Sequence, residues 1–196
     1  LKLTPSGAGS INSYSGAITV ANGSLVAGNA GTFRNAAPFN VITLGSTPAN
    51  NGNLKMNGFS FSLGGLSSAG TGASNTVDNG TVNTTLTINT PNASTFLFGG
   101  SLNNGATGVL NLVKSGAGTQ TLGGLNNYTG TTTVSAGKLV LARTGGGTIP
   151  AGNSISITGG ILQISSDQTI SNLAISGGTL QVDAGATLTI TGTYST

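Results

Sequence analysis

An all-β chain wound as a right-handed parallel β-helix, or β-solenoid, is the fold this sequence predicts, and three observations point to it. The first is composition. Of 196 residues, 5% are charged and 5% aromatic, with 34 glycines and no Cys, His or Trp, where an ordinary domain carries roughly 25% charged residues. The second is a run of short segments that alternate an apolar residue with Thr, Ser, Asn or Gln, the period of a strand with one buried face. The third is self-similarity, which decides a fold before local propensity does. "YSGAITVANGSLVA" (Tyr14 to Ala27) returns as "YTGTTTVSAGKLVL" (Tyr128 to Leu141) at a constant offset of 114.

Taken in order, the strand signals of the first copy are Ala17–Val20, Ser24–Ala27, Asn40–Leu44, Asn53–Met56, Phe59–Leu63, Thr84–Ile88, Thr95–Phe98 and Val109–Val113. The second copy adds Lys138–Ala142, Ser154–Ile157, Ile161–Ile164, Asn172–Ile175, Thr179–Val182 and Thr187–Ile190. Between them stand Gly-Gly, Asn-Gly and Ala-Gly pairs, which supply positive φ and tight corners. Helix formers are scarce while Thr, Val and Ile are plentiful, which favours strands throughout.

Short strands with glycine corners fit a sandwich, a barrel or a solenoid. A sandwich calls for large core aromatics, and few are present. A solenoid has a narrow interior filled by stacked aliphatics. Its stacked strands lie about 4.8 Å apart, a spacing at which like charges repel and Asn or Thr can form hydrogen-bonded ladders. At roughly 20–25 residues per turn, the chain makes about eight or nine turns. We read residues 1–196 as one solenoid with an internal duplication, 1–111 being the first unit and 112–196 a second, incomplete one. The chain opens without Met and without a charged-then-apolar leader, as expected of a processed product or of a segment of a larger protein. No amphipathic helix or charged strand stands at Leu1 or at the C-terminal "LTITGTYST", so the ends are expected to pair with more protein.

The stretch "LVKSGAGTQTLGGLNNYTGTTTVSAGKLVLA" resembles the autotransporter-associated β-strand repeat, also called the passenger-associated transport repeat. Lys114, Gly116, Gly118, Thr119, Leu122, Asn126, Tyr128, Gly130, Thr132, Val134, Gly137 and Leu139 fall on its habitual form. The first copy departs from it, with Pro5 before Ser6 in place of the Lys and no Thr-x-x-Leu element. The resemblance implies a parallel β-helix on, or released from, a bacterial surface, exported in typical members through an outer-membrane barrel. It leads to the expectation of a non-enzymatic structural module that builds a stalk or stacks head to tail into a fibre, with an adhesin or glycan-binding module as the alternative.

Composition also narrows the chemistry. Without His and Cys, zinc and haem lose their main donors and a Ser-His-Asp triad is ruled out. We expect no catalytic, cofactor-binding or metal-binding residues. Asp167 and Asp183 are sixteen apart, enough to face one another on adjacent turns as a glycosidase pair would, yet two solvated turn aspartates are the simpler reading. Ser135 and Lys138 match Ser-x-x-Lys, but at a turn entering a strand rather than at a helix start. "SGAG" and "TGGGT" complete no phosphate fingerprint and precede no helix, which leaves them as corners. Tyr14 and Tyr128 share a repeat position, which argues for covering a corner rather than for stacking on a sugar. The formal charge is +3, but no two of the six cations are adjacent, so there is no patch to neutralise phosphates. Expected partners are therefore further β-turns of the same kind, with surface glycans second, and neither nucleic acid nor a membrane interior. Lack of Cys fits an extracellular or cell-surface setting without disulfides.

Overall fold

A computed structural model describes residues 2–3, 14, 16–33, 37–47, 49–69 and 73–196. All regular structure among these residues is strand, and every strand pairing is parallel. The chain is a parallel β-solenoid, as its composition and beat predict.

Three ladders carry it. One stacks Lys2–Leu3, Gly23–Ala27, Gly52–Lys55, Thr76–Asp78 and Ser101–Asn103. A second stacks Ile18–Val20, Val41–Leu44 and Gly65–Ser68. The largest contains the series Phe61–Leu63, Thr84–Asn89, Leu110–Ser115, Thr132–Val134, Ser154–Ile164, Asn172–Val182 and Tyr194–Ser195. Its other branch runs Thr95–Phe98, Thr119–Leu122 and Lys138–Leu141 into the far half of Ser154–Ile164. A short pair, Gln168–Ile170 with Leu188–Ile190, closes one side. The longest unbroken series holds seven strands, so the stack is about seven turns deep rather than the expected eight or nine. Turns near the N-terminus use more chain than assumed: Ser24 pairs with Asn53, twenty-nine residues on.

Inward side chains line up in columns because parallel register places like positions over one another. Leu25, Leu54, Val77 and Leu102 form one column, and all are buried. Leu86, Leu112, Thr132, Ile155 and Leu173 form another. Each buried aliphatic side chain contributes on the order of 2 kcal/mol from desolvation, and the parallel pairing uses the backbone polar groups that this narrow core would otherwise strand.

Two pairs of expected strands are each continuous. Ser154–Ile157 and Ile161–Ile164 join as Ser154–Ile164, with register shifts around Thr158, and Asn172–Val182 follows the same path. Gly159–Gly160, a Gly-Gly pair expected to turn a corner, instead lies within the strand and lets turns nest. A Cβ on Gly160 would lie 2.9 Å from the Gly137 carbonyl oxygen, and one on Gly178 would lie 2.2 Å from that of Gly160. Gly65–Ser68, Thr76–Asp78, Ser101–Asn103, Thr119–Leu122, Thr132–Val134 and Gln168–Ile170 are additions to the expected strands. They are short and mostly polar, and a neighbouring strand as much as intrinsic propensity fixes them.

Candidate functional site

The densest set of buried polar groups lies in the second repeat copy, where three polar side chains enter aliphatic columns. Lys114 stands between Ile88 and Val134, Gln120 between Phe96 and Leu139, and Thr132 between Leu112 and Ile155. All three are fully buried.

Each has its own solution to burial. The Lys114 ammonium donates to the carbonyls of Ser115, Gly116 (2.8 Å) and Ala136 (3.3 Å). Loss of water lowers its pKa from the usual 10.5 to about 8. Thr132 Oγ1 lies 2.6 Å from the Tyr128 hydroxyl, and burial pushes that phenol well above its ordinary range. The Gln120 amide acts as a strand rung: Oε1 accepts from Leu66 N at 3.1 Å while Nε2 donates to Leu66 O at 2.9 Å and to Thr121 O at 3.1 Å. It reaches past Phe96, on the intervening turn, to Gly65–Ser68, whose ladder ends there.

Gln168 repeats this device. Its Oε1 accepts from Ile149 N (3.2 Å) and its Nε2 donates to Ile149 O and Thr169 O (both 2.8 Å). Asn126, buried, joins three turns by accepting from Leu102 N (2.9 Å) and donating to Thr148 O (2.8 Å). Neither glutamine was singled out in the sequence. The signal was parity: Gln120 alternates in phase with Leu122, and Gln168 with Ile170, both inward residues.

Residues considered for chemistry are placed as follows. Asp183 accepts from Ser165 Oγ and Gln163 Nε2, each at 2.6 Å, and from Gln181 Nε2 at 3.1 Å, and these bonds hold its carboxyl below the usual range. Asp167 accepts instead from Thr187 N at 2.8 Å. The two carboxylates therefore have separate partners, on either side of the last turns. Ser135 Oγ donates to Lys114 O at 3.0 Å, and Lys138 opens a strand. Tyr128 is buried against its corner, whereas Tyr14 is 53% exposed. Gly145, Gly146 and Gly147 all have positive φ and line an open hollow of about 310 Å³ beside Asp167. A second hollow of about 430 Å³ is floored by Gly99, Gly123 and Gly124 beside Leu125 and Arg143. Pro5 and Ser6–Gly9 of the first copy lie outside the described residues. Among the described residues no three or more His, Cys, Asp or Glu side chains gather as a metal site would need.

This arrangement defines a class of protein: a parallel β-solenoid module whose buried polar side chains tie one turn to the next. Two stretches of the chain, residues 3–27 and 112–141, match the model of the passenger-associated-transport-repeat family. The chain is also 34% identical over 129 residues to the adhesin BmaC autotransporter of Brucella suis biovar 1 (strain 1330). That similarity covers 65% of this chain and 3% of the relative's length. No solved structure matches the chain.

Proposed function

We propose that this chain is a non-enzymatic structural module of a bacterial surface or extracellular passenger, contributing length and stiffness as part of a stalk or fibre. The supporting observation is the use of polar groups. Lys114, Gln120, Asn126 and Gln168 all bind backbone of their own or neighbouring turns, which stiffens the coil and leaves them no role toward a ligand. The relative being an autotransporter adhesin supports the surface location.

The end-to-end partner in this reading is another β-turn, from a longer chain or from a second copy. Labelling intact and permeabilised cells with an antibody to this chain tests the location, and equal inaccessibility on intact cells would reject it. Negative-stain images of concentrated protein test the fibre, and monodisperse particles alone would count against it. A second reading is an adhesive or glycan-binding passenger, and the adhesin similar to this chain favours its adhesive part.

A further inference from the structure

One branch of the largest sheet, the series from Phe61–Leu63 to Tyr194–Ser195, presents an outward face without a charge, Lys138 lying on the other branch. The outward positions of this branch are Ser, Thr and Asn with occasional Val or Ala, while Lys114 points inward. Two parallel rows on this face differ in how their polar groups are used. In one row, Asn111 Oδ1 accepts from Thr131 N, Asn172 Oδ1 accepts from Thr193 N, and Asn172 Nδ2 donates to Ser154 Oγ. Those side chains are locked along the axis.

The adjacent row holds Ser62, Thr87, Thr133, Ser156 and Ser195, in strict register and interrupted by Val113 and Ala174. All are exposed or half-exposed, and among the described residues none of these five hydroxyls has a protein partner. Strand spacing of about 4.8 Å sets the interval from turn to turn, so the row runs for roughly 29 Å. It is a straight line of free hydroxyls beside a rigid amide ladder.

We propose that this row docks an uncharged, hydroxyl-rich polysaccharide lying along the solenoid axis, which rests on the glycan-binding reading above and assigns it to one face. The interval between turns is close to the length of one sugar in an extended chain, so the hydroxyl-bearing turns meet equivalent sugars while Val113 and Ala174 offer contact without a hydrogen bond. The absence of charge matches a neutral polymer and offers nothing to a polyanion. Rigid, pre-ordered donors and acceptors lower the ordering cost of binding a long flexible chain.

The test uses the whole chain with microcrystalline cellulose and a soluble linear β-glucan as neutral probes, and heparin as the polyanion. The variant is the triple Thr87→Val, Thr133→Val, Ser156→Ala, which keeps shape and strand preference; Thr121→Val on another face is the control. Circular dichroism and the unfolding midpoint establish that each variant is folded. The expected result is binding to a neutral probe that changes less than twofold from low to high salt, and falls at least tenfold in the triple variant but not in Thr121→Val. Thr133→Arg, placing a bulky cation mid-row, gives the same loss. No binding to either neutral probe, preference for heparin, or equal binding by the triple variant overturns the assignment. Cell or matrix adhesion that survives the triple variant also overturns this face while leaving the adhesive reading intact. Self-association that the triple variant abolishes, without glycan binding, shows the face to be covered by a second copy and overturns it too.

Discussion

The two repeat copies carry the same Tyr-x-Gly-x-x-Thr-Val pattern, yet their tyrosines end in different surroundings. Tyr128 is fully buried with its hydroxyl 2.6 Å from Thr132 Oγ1, whereas Tyr14 is 53% exposed and donates to Ala17 O at 3.1 Å. The residue four places on accounts for much of this. It is Thr132 in the second copy and Ile18 in the first, so the first has no hydroxyl to receive a buried phenol, and burying one unpaired is costly. The glycines two places on differ in use as well. A Cβ on Gly130 would strike Leu110 O of the adjoining turn at 2.2 Å, while one on Gly16 would strike the Tyr14 hydroxyl itself at 2.3 Å. In the second copy glycine admits the next turn; in the first it makes room for the ring. A shared motif thus sets side-chain types, and the adjoining turns decide what those side chains do.

The sharpest way to break this comparison is to remove each ring. Tyr128→Ala is expected to cost about 3–5 kcal/mol, the range for deleting a buried aromatic, and Tyr14→Ala about 0.5 kcal/mol, as for a surface change. Urea unfolding of both variants decides it; comparable losses would mean that the copies are equivalent after all. Next in size is Gln120→Ala. It strands the Leu66 N–H and C=O in the interior, each worth about 1–3 kcal/mol when unsatisfied. Hydrogen exchange should then quicken first at Leu66, and unchanged protection there would show that the amide is no rung. Smaller again is Thr132→Ile, which installs the first copy's residue. It is expected to cost about 1–2 kcal/mol through the lost partner of Tyr128, with the tyrosine's fluorescence becoming more accessible to a quencher. An unaltered midpoint and quenching would reject the explanation given for Tyr14.

Much of the fold was legible because period two and glycine corners are local signals. Thr95–Phe98 stands where its apolar spacing placed it, and Tyr128, though not the exposed Tyr14, is buried as their shared repeat position suggested. What escaped notice depends on neighbours. Ser101–Asn103 is a strand because it pairs with Thr76–Asp78, not because Ser-Leu-Asn prefers to be one. Gln120 was overlooked since a glutamine among threonines reads as solvated; only the inward phase of Leu122 betrays it. Lys114 was visible as part of the motif, but its inward turn was not, since lysine is rarely buried whole.

That lysine supplies a finer test, because the first copy has Pro5 at the corresponding motif place and so contributes nothing of the kind. In the folded chain Lys114 loses its proton near pH 8, whereas unfolded lysine keeps it to about 10.4. Between those values the unfolded state binds more protons, so stability rises with pH. Tyr128 acts in the opposite sense. Burial pushes its phenol up, so above about pH 10 the unfolded chain releases a proton that the folded chain retains, and stability falls. Urea midpoints should therefore climb from pH 8 toward 10 and drop beyond. Lys114→Met should flatten the climb and Tyr128→Phe the drop, each leaving the other limb in place. A climb that persists in Lys114→Met would mean that the three carbonyls around the ammonium hold its proton as firmly as water does, and that burial here carries no electrostatic penalty.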